Sequence, residues 1–214
     1  IFLDRKDFIS ILGNINELKE KFGESNLGYG NKVQIEFVSA NPTGPLHVGH
    51  GRGAAYGDAL ARILTKTGSI VEKEYYINDA GRQIDILTAS VIIKVIQKDL
   101  NNFSPINTYK GKYIEEIGTA FIKKEDISYK EPRSIIEDLP EDAEEEIDQI
   151  ITNLKDKDDI VWNNVKSFSL ENILSLIKQD LESFNVTFDN WFRESSLGDL
   201  KVSDSQISKL INKL

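Results

Sequence analysis

Asn41-Pro42-Thr43-Gly44-Pro45-Leu46-His47-Val48-Gly49-His50 contains both histidines of the 214-residue chain. Before it, Lys32–Val38 alternates Val33, Ile35 and Phe37 with Gln34 and Glu36, the period-two pattern of a strand. Pro42 and Pro45 keep Ser39–Leu46 out of any helix. After it, Val48–Thr67 is a Gly- and Ala-rich helical run that Gly68 is placed to end. A strand that turns directly into a helix gathers unpaired helix amides at one point. In α/β folds nucleotide phosphates bind at such a point.

Working outward, Ile70–Ile77 reads as a second strand, Asn78-Asp79-Ala80-Gly81 as a turn, and Arg82–Leu100 as a helix. The order β-α-β-α opens a parallel, doubly wound sheet. Upstream, residues 4–30 read as a helix with Phe8, Ile11, Leu12, Ile15, Leu18 and Phe22 on one face, closed by Gly28-Tyr29-Gly30-Asn31. Downstream the pattern changes, and 101–165 holds no convincing strand. Asn101–Lys110 is a polar loop. Tyr113–Lys123, Pro140–Leu154 and Ser169–Phe184 read as helices, with Pro140 opening the second and Ser169 capping the third. Val186–Phe192 returns to strand composition. The expected class is α/β: a parallel Rossmann-like sheet with a helical insertion at 101–185. The expected division is a helical lead-in at 1–30, a sheet unit at 31–100, the insertion, and a return to the sheet at 186–214.

Composition narrows the function. A hydrophobic share of 40% and a charged share of 29% describe a water-soluble fold. There is no cysteine, so disulfides and thiolate metal sites are excluded, which fits a reducing compartment. No apolar run approaches the ~20 residues of a membrane span. The chain starts at Ile1 without Met or signal pattern, which reads as a start inside a longer sequence. The net charge of −9 argues against a nucleic-acid partner at first sight. However, residues 131–160, with twelve acidic and three basic residues, carry the whole excess. The acidity is local, and the run 137–148 reads as a solvated helix face.

His47 and His50, three apart, share one helix face at the positive end of the helix dipole. Both could donate hydrogen bonds to phosphate oxygens as charge builds on a phosphoryl group. A metal pair is disfavoured, because zinc needs three protein ligands and there is no third His or Cys. Satisfied structural histidines remain an alternative. Gly49, Gly51, Gly53 and Gly57 each cost the helix roughly 1 kcal/mol relative to Ala. Close approach of a ligand would explain them, and so would tight packing on the sheet. Glu36 ends the first strand; it is either a ligand-facing carboxylate or an outward residue. Asp79 either lines the site or caps the next helix.

The string 38–53, Val-Ser-Ala-Asn-Pro-Thr-Gly-Pro-Leu-His-Val-Gly-His-Gly-Arg-Gly, resembles the signature of class I aminoacyl-tRNA synthetases, and of the arginyl family in particular. Tyr75-Tyr76-Ile77-Asn78-Asp79-Ala80-Gly81-Arg82-Gln83-Ile84 is similar to the segment after that family's second strand. Tyr109-Lys110-Gly111-Lys112-Tyr113-Ile114 resembles a motif of its insertion, and Phe188-Asp189-Asn190-Trp191-Phe192-Arg193-Glu194-Ser195-Ser196-Leu197 the strand that follows. The resemblance implies the first half of a class I synthetase nucleotide-binding fold, led into by an N-terminal domain. It implies ATP and arginine as substrates, with tRNA(Arg) as acceptor and Mg2+ accompanying ATP. No protein-bound metal is implied. The site would lie in the signature Ala40, Asn41, Pro42, Thr43, Gly44, Pro45, Leu46, His47, Val48, Gly49, His50. His47 and His50 would be catalytic and, with Gly49 and Gly51, would bind ATP. Glu36, Ser39, Asn41, Asp79 and Gln83 would bind arginine. A cytoplasmic, monomeric enzyme with no membrane association is the corresponding expectation.

One departure stands out. The family's second signature, Lys-Met-Ser-Lys-Ser or a variant, is missing, and Gly44 stands where some arginyl enzymes place a compensating lysine. The expectation is a fragment that is inactive on its own. Two alternatives are a small-molecule nucleotidyltransferase and a non-catalytic nucleotide-binding module.

Overall fold

A computed structural model describes residues 4–97, 99–125, 132–198 and 206–211. Three parallel strands, β1 (Lys32–Glu36), β2 (Ile70–Ile77) and β3 (Asn190–Arg193), form one sheet in the order β1-β2-β3. Val33 pairs with Val71 and Glu36 with Glu74, while Tyr75 pairs with Trp191 and Ile77 with Arg193. Strand alternation divides the sheet. Lys32, Gln34 and Glu36 are exposed on one face, and Val33 and Ile35 are half-buried on the other. The buried face carries the aromatic group Phe37, Tyr75, Phe188 and Trp191. Tyr75 stacks on Trp191 at 4.5 Å, and its ring edge meets Phe188 at 5.4 Å.

The chain passes from β1 to β2 through α2 (Val48–Lys66) and leaves β2 through α3 (Arg82–Ile96). Gly68, at φ +94°, turns the chain out of α2 as its position predicts. Almost every residue of α3 beyond its first turn is buried, from Ile84 to Ile96. Such a helix must be surrounded. Here α4 (Lys112–Ile122), α5 (Ala143–Lys157) and α6 (Asp159–Ser183) pack around it. Ile114, Ile117 and Phe121 of α4, Ile147, Ile150 and Leu154 of α5, and Trp162, Ile173 and Ile177 of α6 complete one core with α3. The helices read as an insertion are therefore built onto the helix that follows β2. No helix among the described residues is long and apolar enough to cross a membrane.

Several elements differ from the sequence expectation. The first helix, α1, spans only Arg5–Leu18, followed by a short 3-10 turn at Lys19–Lys21. Its residues Phe8, Ile11, Leu12, Ile15 and Leu18 stay exposed. Pro140 lies outside α5, whose cap is Asp142, accepting from the amides of Glu144 (2.9 Å) and Glu145 (3.1 Å). Ser169 is no cap. It lies fully buried inside α6, which starts ten residues earlier under the Asp158 carboxylate. The apolar stripe explains this, since Trp162 and Val165 continue it back to that cap. The last strand is shorter than Val186–Phe192. Asp189 accepts from the Lys73 amide through its side chain at 2.8 Å, and regular pairing begins only at Asn190. A last helix, α7 (Gln206–Ile211), lies within the segment read as returning to the sheet.

Candidate active site

The C-terminal ends of all three strands open onto the loop between β1 and α2. That loop leaves β1 through two consecutive left-handed residues, Val38 (φ +65°) and Ser39 (φ +40°). For a β-branched valine this conformation is an outlier, with a cost of about 1–3 kcal/mol unless the surroundings enforce it. They do so at several points. The buried Tyr75 hydroxyl donates to the Ala40 carbonyl and accepts from the Ala40 amide, each at 3.1 Å. The Ser39 hydroxyl accepts from the Tyr76 amide at 3.1 Å. The side-chain amides of Asn41 and Asn78 meet at 3.2 Å, and Pro42 is buried. The Tyr113 hydroxyl, from the first turn of α4, donates to the Thr43 carbonyl at 2.8 Å, with its ring against Gly44. Burial pushes both the Tyr75 and the Tyr113 hydroxyls up to about 12, so both remain protonated donors.

His47 is the N-cap of α2. Its Nδ1 accepts from the Gly49 amide at 3.1 Å, and the Nδ1 of His50 accepts from the His47 amide at 3.2 Å. The rings stack with centroids 3.8 Å apart. A ring nitrogen that accepts carries no proton, so the neutral ring holds its proton on Nε2. The helix thus begins with two Nε2–H donors, while the amides of Gly49, His50 and Gly51 are already bonded to His47. Burial, and then the neighbouring His47, holds the His50 pKa below its usual 6.5. The histidines therefore cap the helix, with His47 exposed and His50 half-buried.

Around the other strand ends lies an acidic group. Glu36 is exposed at the end of β1, and Tyr76 lies on the neighbouring strand. The Glu194 carboxylate, directly after β3, lies beside the Tyr76 hydroxyl. Burial and then Glu194, Glu36 and Asp79 all raise the Tyr76 pKa. Asp79 is buried and does not cap α3, whose N-cap position is held by Gly81. Its carboxylate accepts from the Ser195 amide (2.8 Å) and hydroxyl (2.7 Å) and pairs with Arg193 at 3.5 Å. Gln83 is exposed and accepts from the Tyr109 hydroxyl at 2.5 Å. No cluster of three or more His, Cys, Asp or Glu suited to a metal ion occurs among the described residues.

The carboxyl ends of the parallel strands thus bring exposed carboxylate together with the start of α2, the place where ligands bind in open α/β sheets. The family model described as tRNA synthetases class I (R), catalytic domain, matches residues 12–213. The chain belongs to this family. It is 42% identical to an arginine–tRNA ligase of Thioalkalivibrio sulfidiphilus, over 98% of this chain and 37% of that protein. It is 41% identical to one of Hydrogenovibrio crunogenus, over 94% and 36%. A solved Campylobacter jejuni protein assigned as an arginyl-tRNA synthetase superposes with a TM-score of 0.65 at 28% identity, covering 92% of this chain and 38% of that one. The fold is thus that of a class I synthetase catalytic domain. The chain spans little more than a third of the length of these relatives.

Within this synthetase fold, the four glycines of α2 serve different ends. A Cβ on Gly57 would overlap the Phe37 ring, so this glycine is a packing residue between helix and sheet. A Cβ on Gly49 would stand 2.9 Å from the His47 ring, so Gly49 leaves room for the capping histidine. Gly51 and Gly53 meet no protein atom within 4 Å. Packing does not account for them. Sequence reasoning brought Glu36, Ser39, Asn41, Asp79, Gln83 and the histidines to one end of the sheet. It missed Tyr75, Tyr113 and Glu194, although each lies in a segment that resembles the family. Tyr75 was detectable as the inward partner in the alternation of β2. Glu194 had no local signal, because only the pairing of β2 with β3 places it beside Tyr76.

Proposed function

We propose that the protein carrying this chain is an arginine–tRNA ligase. The observation that supports the reading is that the loop leaving β1 beside Glu36, Tyr76 and Glu194 leads directly into a helix start with two Nε2–H donors. The helix end suits the phosphates of ATP, supplied with Mg2+ as part of the substrate. The carboxylates suit a guanidinium, which is planar and permanently charged. Between them an arginine carboxylate oxygen would form a bond to the α-phosphorus of ATP. The bond to the bridging oxygen would break and pyrophosphate would leave. A ribose hydroxyl of the terminal adenosine of tRNA(Arg) would then attack the carbonyl carbon, and AMP would depart.

In this reading, His47 and His50 donate from Nε2 to phosphoryl oxygens as their charge rises, and Gly49 and Gly51 leave the helix slim where the nucleotide lies. Glu36 faces the guanidinium, Ser39 and Asn41 hold the amino-acid backbone, and Gln83 lines the same end. Asp79 acts through Ser195 and Arg193, whose bonds occupy its carboxylate. Residues 31–100 and 186–214 would contribute the first half of the catalytic sheet, and 101–185 the insertion. A monomeric, cytoplasmic enzyme goes with this reading.

The test is tRNA-dependent exchange of pyrophosphate into ATP by the complete protein, with each amino acid offered in turn. Arginine should support exchange at least ~100-fold better than lysine, because a paired carboxylate site distinguishes a fork-shaped cation from a point charge. Exchange without an amino acid, or with a different preference, rules this reading out.

A further inference from the structure

We propose that Tyr75 is a positioning residue: its buried hydroxyl clamps Ala40 and so holds the strained turn that aims Ser39 and Asn41 at the amino-acid substrate. This rests on the ligase reading above. The clamp is two-sided, since one oxygen donates to the Ala40 carbonyl and accepts from the Ala40 amide at 3.1 Å each. Tyr75 itself cannot shift. It is fully buried and stacked on Trp191 at 4.5 Å, with its ring edge on Phe188 at 5.4 Å. Immediately before Ala40, Val38 and Ser39 hold positive φ in succession, which neither side chain favours. Such a backbone persists only where its neighbours over-determine it. The Ser39–Tyr76 contact fixes one side of the turn and the Tyr75 hydroxyl fixes the other. Without that hydroxyl, Val38 and Ser39 gain by relaxing towards ordinary φ, and Asn41 moves with them. His47 and His50 are held separately by their own capping bonds on α2. The clamp therefore serves the amino-acid end of the site, not the nucleotide end.

The experiment compares the native enzyme with Tyr75→Phe, Val38→Gly and the double variant in arginine-dependent pyrophosphate exchange, varying arginine and ATP separately. Tyr75→Phe should raise KM for arginine about 10- to 100-fold, the scale of an ångström misplacement, with KM for ATP changed less than about threefold. Glycine adopts positive φ freely, so Val38→Gly alone should stay near native, and in the double variant it should recover most of the loss. Amide hydrogen exchange at Ala40 should speed up at least ~10-fold in Tyr75→Phe. A purely structural role would lower kcat with both KM values unchanged, and that result overturns the proposal. So does a double variant no better than Tyr75→Phe, or unchanged exchange at Ala40. A native enzyme that shows no arginine-dependent exchange overturns the ligase reading instead. In that case the Ala40 amide still decides whether the clamp exists.

Discussion

His50 can accept from the His47 amide only while its Nδ1 is unprotonated. Its folded pKa lies below 6.5 because burial, and then the charge of His47, oppose the cation. A base whose folded pKa is depressed contributes stability that is complete above its unfolded pKa and is lost as pH falls through the folded value. The helix cap should therefore loosen on the acid side of 6.5. The measurement is an NMR titration of His50. Its midpoint should fall below 6.5, and His47→Ala should move it only part of the way back, since burial is the larger cause. A midpoint at or above 6.5 contradicts the geometry. Glu36 gives the second test at this scale. Glu36→Gln keeps the shape of the side chain and removes its charge. Loss of a charge-assisted bond to a guanidinium should cost about 1.5–3 kcal/mol, a rise of roughly 10- to 100-fold in KM for arginine with ATP unaffected. If steady-state kinetics show the same arginine KM, Glu36 does not face the substrate.

At the scale of elements, α2 carries glycines that stability alone would not select. Gly51→Ala adds a Cβ in open space and should stabilise the protein by up to about 1 kcal/mol through helix propensity. If the nucleotide lies against that surface, the same change should raise KM for ATP. Gly57→Ala should do the reverse, destabilising by about 1–3 kcal/mol because its Cβ overlaps Phe37. Urea unfolding and ATP kinetics on the two variants separate the roles. A Gly51→Ala enzyme with native ATP kinetics would leave that glycine without a binding role. The extent to which such elements were legible follows from their punctuation. The bounds of β2 came out as read, because a stretch that opens on Ile70-Val71 and closes on Tyr75-Tyr76-Ile77 stands between Gly68 and the turn at Asn78. The start of α2 was fixed by Pro45 and its end by Gly68. The start of α6 was misread because Ser169 has the right chemistry for a cap, yet the stripe through Trp162 and Val165 continues to a stronger one at Asp158. The α1 face was readable as amphipathic, but its sequence says nothing of what covers it. Glu194 was unreadable for a different reason. Local rules cannot bring Glu194 to Glu36, since that proximity is made by the order of strands.

Across the whole molecule, two carboxylates stitch the layers together. Asp58 on α2 takes Arg62 at 2.6 Å and Lys73 of β2 at 3.1 Å, fastening helix to sheet. Asp85 on α3 takes Lys155 of α5 at 2.8 Å and Lys166 of α6 at 2.9 Å, fastening three helices. Burial alone would raise both pKa values. Hydrogen bonds and charge from these partners outweigh it and hold both below the ordinary 3.8. The sign follows from that direction. A depressed carboxylate contributes stability that is complete above its unfolded pKa and disappears as pH falls through the folded one. Stability should therefore fall from about pH 4 downwards, and Asp85 should account for part of the fall. Asp85→Asn should be less stable than native at pH 7 by ~1–2 kcal/mol, a modest loss because Lys155 and Lys166 remain partly solvated when left without it. As pH drops below 3.8 the native carboxyl takes up its proton and comes to resemble the amide, so the gap should close. Urea midpoints for the two proteins at pH 7, 5, 4 and 3 measure it. A gap that stays constant over that range means that the Asp85 charge contributes nothing to holding α5 and α6 on α3, which leaves that to apolar packing and, for α5, to the pairs of Arg82 with Glu144 and Asp148.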